Sequence, residues 1–172
     1  MNECEFCSLM GKEENRVYED DKSAAVLYPK PAVLGHIIVF AKEHTTIIEQ
    51  TPDYIVAHLA KIANRISTAL FDALKSQGTN IIIANGLAAG QTTPHFAINI
   101  IPRLVNDGLS FNWQPRQVKE EAMDTIELQL KEETKNIGSF EKEKKAPIEE
   151  KEAEKIDEKE EDYALKQLKR IP

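Results

Sequence analysis

Three stretches of this 172-residue chain carry side chains able to do chemistry. The first is Cys4-Glu5-Phe6-Cys7, which holds both cysteines. In a reducing compartment a C-x-x-C pair more often binds a metal or cycles between redox states than forms a structural disulfide, and by itself it also fits two free thiols. The second runs Gly90-Gln91-Thr92-Thr93-Pro94-His95-Phe96-Ala97-Ile98-Asn99-Ile100-Ile101-Pro102-Arg103. Side chains on a strand alternate between faces, so His95, Ala97, Asn99 and Ile101 share one face and Phe96, Ile98 and Ile100 the other. The second face is apolar and belongs to a core. The first is small and polar, as a ligand-facing surface would be. The third stretch places Gly35-His36 before an apolar run and Lys42-Glu43-His44 after it. The loop Asn85-Gly86-Leu87-Ala88-Ala89-Gly90 precedes the alternating strand. It suits either a phosphate cradle or a plain turn.

These groups need a scaffold, and the hydrophobic pattern supplies one. Residues 16–19 and 23–27 are short β-prone runs around Asp20-Asp21-Lys22 and read as a hairpin. Tyr28-Pro29-Lys30-Pro31 interrupts pairing, because proline lacks the ladder donor. Ile37-Ile38-Val39-Phe40 reads as a buried strand. Thr51-Pro52-Asp53 marks a helix start, with Thr51 as the capping hydroxyl, proline in the first turn and an acid near the positive end of the dipole. Ile55, Leu59, Ile62, Ile66, Leu70 and Leu74 then recur at helical spacing, and Gly78 is the expected stop. His58 flanks that stripe as a surface or interface histidine. Residues 80–84 read as a second buried strand and 95–101 as a third. Residues 117–135 have helical character, with Met123, Ile126, Leu128 and Leu130 as the apolar positions, and Trp113 before them reads as a packing or dimer contact.

Taken together these motifs resemble the histidine triad (HIT) family. In that family three histidines alternate with hydrophobic residues after a Gly-Gln-Ser/Thr loop and before an apolar pair with Pro-Arg. The resemblance covers residues 4–116 and includes Cys4-x-x-Cys7, Gly35-His36, Lys42-Glu43-His44, the long helix, Asn85-Gly86 and Trp113-Gln114-Pro115, all in the family's order. It implies an α+β fold, an antiparallel sheet with helices, over residues 1–138. It also implies a homodimer, since family members commonly join into a continuous sheet.

In active members the middle histidine attacks the α-phosphate of a nucleotide, and neighbouring histidines and backbone amides stabilise the charge. Here the triad reads His95, Ala97, Asn99. A methyl group forms no covalent intermediate, and Asn99 donates a hydrogen bond but shuttles no proton. The family's ribose-binding acid falls on Tyr28. The resemblance assigns no catalytic residue, and a nucleotide- or phosphate-binding set of His36, Asn85, Gly90, Gln91, Thr92 and Asn99, with a purine nucleotide as the ligand class. It also implies a structural zinc ion on Cys4, Cys7, His44 and His95, since some members bind Zn²⁺ at these positions in a closed tetrahedron. The triad has lost the two members that do not bind zinc and kept the one that does. The competing readings are a residual phosphoramidase or nucleotidyl hydrolase assisted by His36 and Asn99, and a non-enzymatic scaffold.

Composition sets the remaining expectations. The net charge of −7 argues against nonspecific binding to nucleic acid or anionic membrane, which both select positive potential. No apolar run is long enough to span a bilayer, and the acidic N-terminus lacks a signal-peptide pattern, so a cytoplasmic location is expected. Residues 139–172 read as a charged tail: 141–162 is almost entirely Glu, Lys and Asp, a composition for a solvated helix or a disordered tether. The closing segment from Tyr163 to Pro172 changes character. Leu165, Leu168 and Ile171 can share a helical face there and could dock a protein partner.

Overall fold

A computed structural model describes residues 4–138 of the chain. The expected charged tether and the segment from Tyr163 to Pro172 lie outside the described residues. The elements run α1 (Glu5–Met10), β1 (Arg16–Glu19), β2 (Ser23–Leu27), β3 (Ile37–Ala41), α2 (Asp53–Leu74), β4 (Gly78–Ile82), β5 (Ala97–Arg103) and α3 (Glu120–Glu133), with short 3-10 turns at Ile48–Gln50, Leu87–Ala89 and Thr134–Asn136. The five strands form one antiparallel sheet in the order β1-β2-β3-β5-β4.

The alternation along β3 and β5 divides the core in two. Val39, Ile37, Ile98, Ile100 and Phe96 face α2, whose Ile55, Leu59, Ile62, Ile66 and Leu70 lie against them. Ile38, Phe40 and Ala97 face the other way and are covered by Phe6 and Leu9 of α1. Strand β3 is buried on both sides, which is why it reads as an unbroken apolar run rather than an alternating one. Its register sets Phe40 against Ala97 and Ile38 against Asn99, so the triad positions lie at the centre of the sheet on the face shared with α1.

Gly35 turns the chain into β3 at a φ of +88°. A Cβ there would lie 2.4 Å from Leu74 Cδ1 and 3.2 Å from Pro102 Cγ. The backbone conformation carries most of the penalty, since Leu74 is half-exposed and can move aside. Gly35→Ala is expected to cost about 1–2 kcal/mol, read as a fall of about 5 °C in the unfolding midpoint; an unchanged midpoint would show that the turn relaxes freely.

The local expectations need five corrections. The hydroxyl of Thr51 caps nothing: α2 has Pro52 at its N-cap position, and Thr51 Oγ1 instead meets Thr45 Oγ1 at 2.7 Å. Helix α2 ends at Leu74, closed by Lys75 in the left-handed region, and Gly78 opens a strand. The Gln77 N–H already bonds to the Arg103 carbonyl, so pairing with β5 has begun before the glycine is reached. Strand β4 is not buried and begins earlier than residue 80, because it is the sheet's outer edge, with Ile81 half-exposed. Beyond Ile82 the chain leaves β5, and Ala84 joins the rim of a pocket. Finally, β5 starts at Ala97, and His95 sits in the approach to it.

Candidate functional site

The two cysteines are brought together by a helix that sequence reasoning did not foresee. Cys4 occupies the N-cap position of α1 and Cys7 lies one turn on, and three-residue spacing on a helix puts side chains on one side. Phe6 and Leu9, on the opposite flank, anchor the helix in the core beside Phe40. His44 follows the end of β3 and His95 precedes β5. The four donor atoms all lie within 4.8 Å of one another. Cys4 Sγ and Cys7 Sγ are 3.4 and 3.5 Å from His95 Nδ1, and Cys7 Sγ is 3.4 Å from His44 Nδ1.

A tetrahedron built on standard zinc–sulfur and zinc–nitrogen bonds has S···N edges of roughly 3.6 Å, so this spacing fits a divalent metal. The second coordination layer fits as well. His95 Nε2–H donates to the Ala41 carbonyl at 3.0 Å, which fixes the tautomer and leaves the Nδ1 lone pair aimed at the thiols, as metal-bound histidines require. Burial pushes the His95 pKa down, outweighing the bond to Ala41, so the ring is held neutral. Burial, and then the Cys4 neighbour, push the Cys7 thiol up. A cation at the centre would reverse that balance. The group could hold a metal ion with all four of its protein donors filled.

Next to it lies a pocket of about 90 Å³ walled by Gly90, Gln91, Thr92, Thr93, His95, Ala97 and Asn99, with Phe6, Tyr28 and Ala84 completing it. It is well below the roughly 300–1,000 Å³ of a full small-molecule site and closer to the scale of a single phosphoryl group. The loop is built by Gln91, whose Oε1 accepts from the Gly86 N–H and whose Nε2 donates to the carbonyls of Thr46 and Thr93. Gly86 and Gly90 both adopt positive φ, at +88° and +86°, which glycine tolerates without strain.

The expected binding set divides in two. Gly90, Gln91, Thr92 and Asn99 line the pocket; His36 and Asn85 stand behind it. His36 Nδ1 accepts from the Ala32 N–H at 3.2 Å, so its Nε2–H donates to Asn99 Oδ1 at 3.1 Å. Burial pushes its pKa down, against the opposing bond to Asn99. Both ring nitrogens are thus engaged, and the imidazole holds Asn99. Asn85 accepts from the Ile48 N–H and donates to the Glu49 carboxylate, tying the loop to the turn before α2. Asn99 Nδ2 reaches only the Ile82 carbonyl, at 3.4 Å, so one of its two hydrogens remains for a guest. Tyr28 packs edge-on against Phe6 and His36. Sequence reasoning missed Phe6 and Thr93 as pocket walls. The signal for Phe6 was its apolar character between two thiols.

The comparisons with known proteins agree with this geometry. The chain is 36% identical over 110 residues to adenylylsulfatase HINT3 of Arabidopsis thaliana. That match covers 63% of this chain and 56% of the plant protein, so the chain spans little more than half of that relative's length. Among solved structures, SMU.412c from Streptococcus mutans UA159 has a TM-score of 0.71 at 29% identity, covering 77% of this chain and 86% of that one. A Zn-bound histidine triad family protein from Mycobacterium smegmatis has a TM-score of 0.59 at 34% identity, covering 76% and 97%. Residues 11–105, more than half of the chain, match the HIT domain, and with the sheet order and the strand carrying His95, Ala97 and Asn99 already in place, the chain belongs to the HIT family.

Proposed function

We propose that this protein is a zinc-stabilised HIT protein that binds a phosphate-bearing ligand, a purine nucleotide by preference, without nucleotidyl-transfer chemistry. The observation that carries the reading is the state of the pocket wall. Ala97 presents a methyl group between His95, whose free lone pair points to the cysteines, and Asn99, whose carbonyl is held by His36. The position that carries the nucleophile in active members holds only that methyl group. The loop from Gly90 to Thr92 and the spare hydrogen of Asn99 supply neutral donors, which suit an anion held by hydrogen bonds. A bidentate ribose contact is absent where Tyr28 stands, so the pocket is expected to discriminate poorly between ribo- and deoxyribonucleotides.

The test pairs binding with turnover. Thermal shifts with AMP, dAMP, ADP, ATP and inorganic phosphate should be upward and similar for AMP and dAMP. Incubation with adenosine 5′-phosphoramidate or adenylyl sulfate should leave the substrate intact. The name of the Arabidopsis relative gives the hydrolytic alternative its weight, and turnover of either compound that is lost in Asn99→Ala would overturn the reading. A homodimer is part of the proposal. Strand β4 is an open edge, and antiparallel pairing of two such edges would continue the sheet and cover Ile81. A cytoplasmic setting and partner docking by the segment from Tyr163 to Pro172 complete it. No helix among the described residues is long and apolar enough to cross a membrane.

A further inference from the structure

At the edge of the sheet opposite β4, a groove of about 430 Å³ runs between β1 and α2. Its floor is Ile62, Ile66 and Ala69 of α2, and its wall is Val17 and Tyr18. Two successive strand residues would ordinarily point to opposite faces. The register of β1 slips between Arg16 and Tyr18, and such a bulge redirects side chains, so both line the groove. At one end His58 Nε2–H and the Tyr18 hydroxyl donate to Asp20 Oδ2, at 2.7 and 2.9 Å, fixing Tyr18 in place. The groove follows α2 from His58 to Ala69, about 16 Å at helical rise, or three turns.

Away from Asp20, which His58 and Tyr18 engage at one end, the rim has one sign. Lys61 and Arg65, one turn apart on α2, border the groove, no carboxylate lines it, and neither cation has an ion pair among the described residues. In a chain of net charge −7 this is a local reversal. The same chain carries a surface of matching shape and opposite charge. Helix α3 spans 14 residues, and every apolar position on it is exposed. Met123, Ile126 and Leu130 fall on one stripe by helical spacing, with Glu120 and Glu127 on one flank and Glu133 on the other. Glu127 pairs with Lys131; Glu120 and Glu133 have no ion pair among the described residues.

We propose that α3 of a second copy of this chain docks in the groove, its Met123-Ile126-Leu130 stripe on Ile62, Ile66, Val17 and Tyr18, and its glutamates beside Lys61 and Arg65. This is the helix-in-groove mode of recognition, with apolar anchors supplying area and rim charges fixing orientation. It is independent of pairing at β4, which lies at the other edge.

The experiment places a benzophenone-bearing amino acid at Met123 of the full chain. Unlabelled and heavy-isotope-labelled chains are mixed and photolysed, and the cross-linked peptides are identified by mass. The expected product joins position 123 of one isotopic form to a peptide of residues 58–69 of the other. Lys61→Glu with Arg65→Glu should lower its yield at least about tenfold, because like charges then face each other. Adding Glu120→Lys and Glu133→Lys to the same chain should restore it. All four positions are exposed, so folding is not at stake. Cross-links formed only within single chains, or to other surfaces, or a yield indifferent to the charge reversals, would each overturn the proposal.

Discussion

Protein purified without chelator is expected to carry one equivalent of zinc per chain by elemental analysis, and Cys4→Ser with Cys7→Ser should carry none. The same double substitution should lower the thermal midpoint by about 10 °C. The size follows from what the site joins. The ligands link the start of α1 to the end of β3 and the approach to β5, and α1 brings Phe6 and Leu9 onto the sheet face. Without metal, six helical residues have little to hold them, since an isolated helix of that length is far below the length at which helices persist in water. Losing the burial of Phe6 and Leu9 alone is worth about 3–5 kcal/mol, and each kcal/mol moves the midpoint of a domain this size by roughly 2–6 °C. The large core between α2 and the sheet contains none of the ligands, so the variant should still unfold cooperatively. Hydrogen exchange should report the loss locally, in α1. Two thiolates and two imidazoles select zinc over harder cations. Less than half an equivalent of metal, or a midpoint indifferent to chelation, would sink the assignment.

The same site explains what was readable in the sequence and what was not. The split between His95, Ala97, Asn99 on one face and Phe96, Ile98, Ile100 on the other follows from strand geometry, and the structure keeps it. The long stripe from Ile55 to Leu70 was equally plain, because one helix face is buried over its whole length. Helix α1 was not readable: its six residues carry too few apolar positions to show a period, and its place depends on Phe40 and the two histidines, which are distant in sequence. The roles of His36 and Asn85 were illegible for a related reason. Motif position put both near the phosphate loop, but which neighbours occupy their polar atoms depends on backbone groups of Ala32 and Ile48 that no side-chain pattern announces. The exposed edge at β4 was misjudged because Ile81, Ile82 and Ile83 look like core, and hydrophobicity alone does not separate a buried strand from an edge awaiting a partner.

Ala97→His with Asn99→His is expected to turn over adenosine 5′-phosphoramidate, while Ala97→His alone should be slower by about two orders of magnitude. The single variant supplies a nucleophile and little else. Its neighbour Asn99 keeps its carbonyl on His36 and offers one amide hydrogen, which can steady a phosphate oxygen but cannot carry a proton to the leaving group. General acid–base assistance is commonly worth about 10²- to 10⁴-fold, and that is the factor the second histidine should restore. A larger side chain at 97 has the pocket to extend into, since Ala97 lines it, although Ala97 is buried and otherwise belongs to the cluster of Phe6, Leu9, Ile38 and Phe40. His95 should not supply the missing function in either variant, because its Nε2 is held by Ala41 and its Nδ1 faces the cysteines. Burst kinetics, and mass detection of a nucleotidyl group on the histidine introduced by Ala97→His, would separate covalent turnover from simple hydrolysis. A double variant that binds AMP yet stays inert would move the defect to Tyr28, which lines the same pocket and stands against Phe6 and His36. Adding Tyr28→Asp then becomes the deciding step: activity recovered only in that triple variant would show that the triad was not the sole chemistry lost, and that ligand placement changed together with the nucleophile.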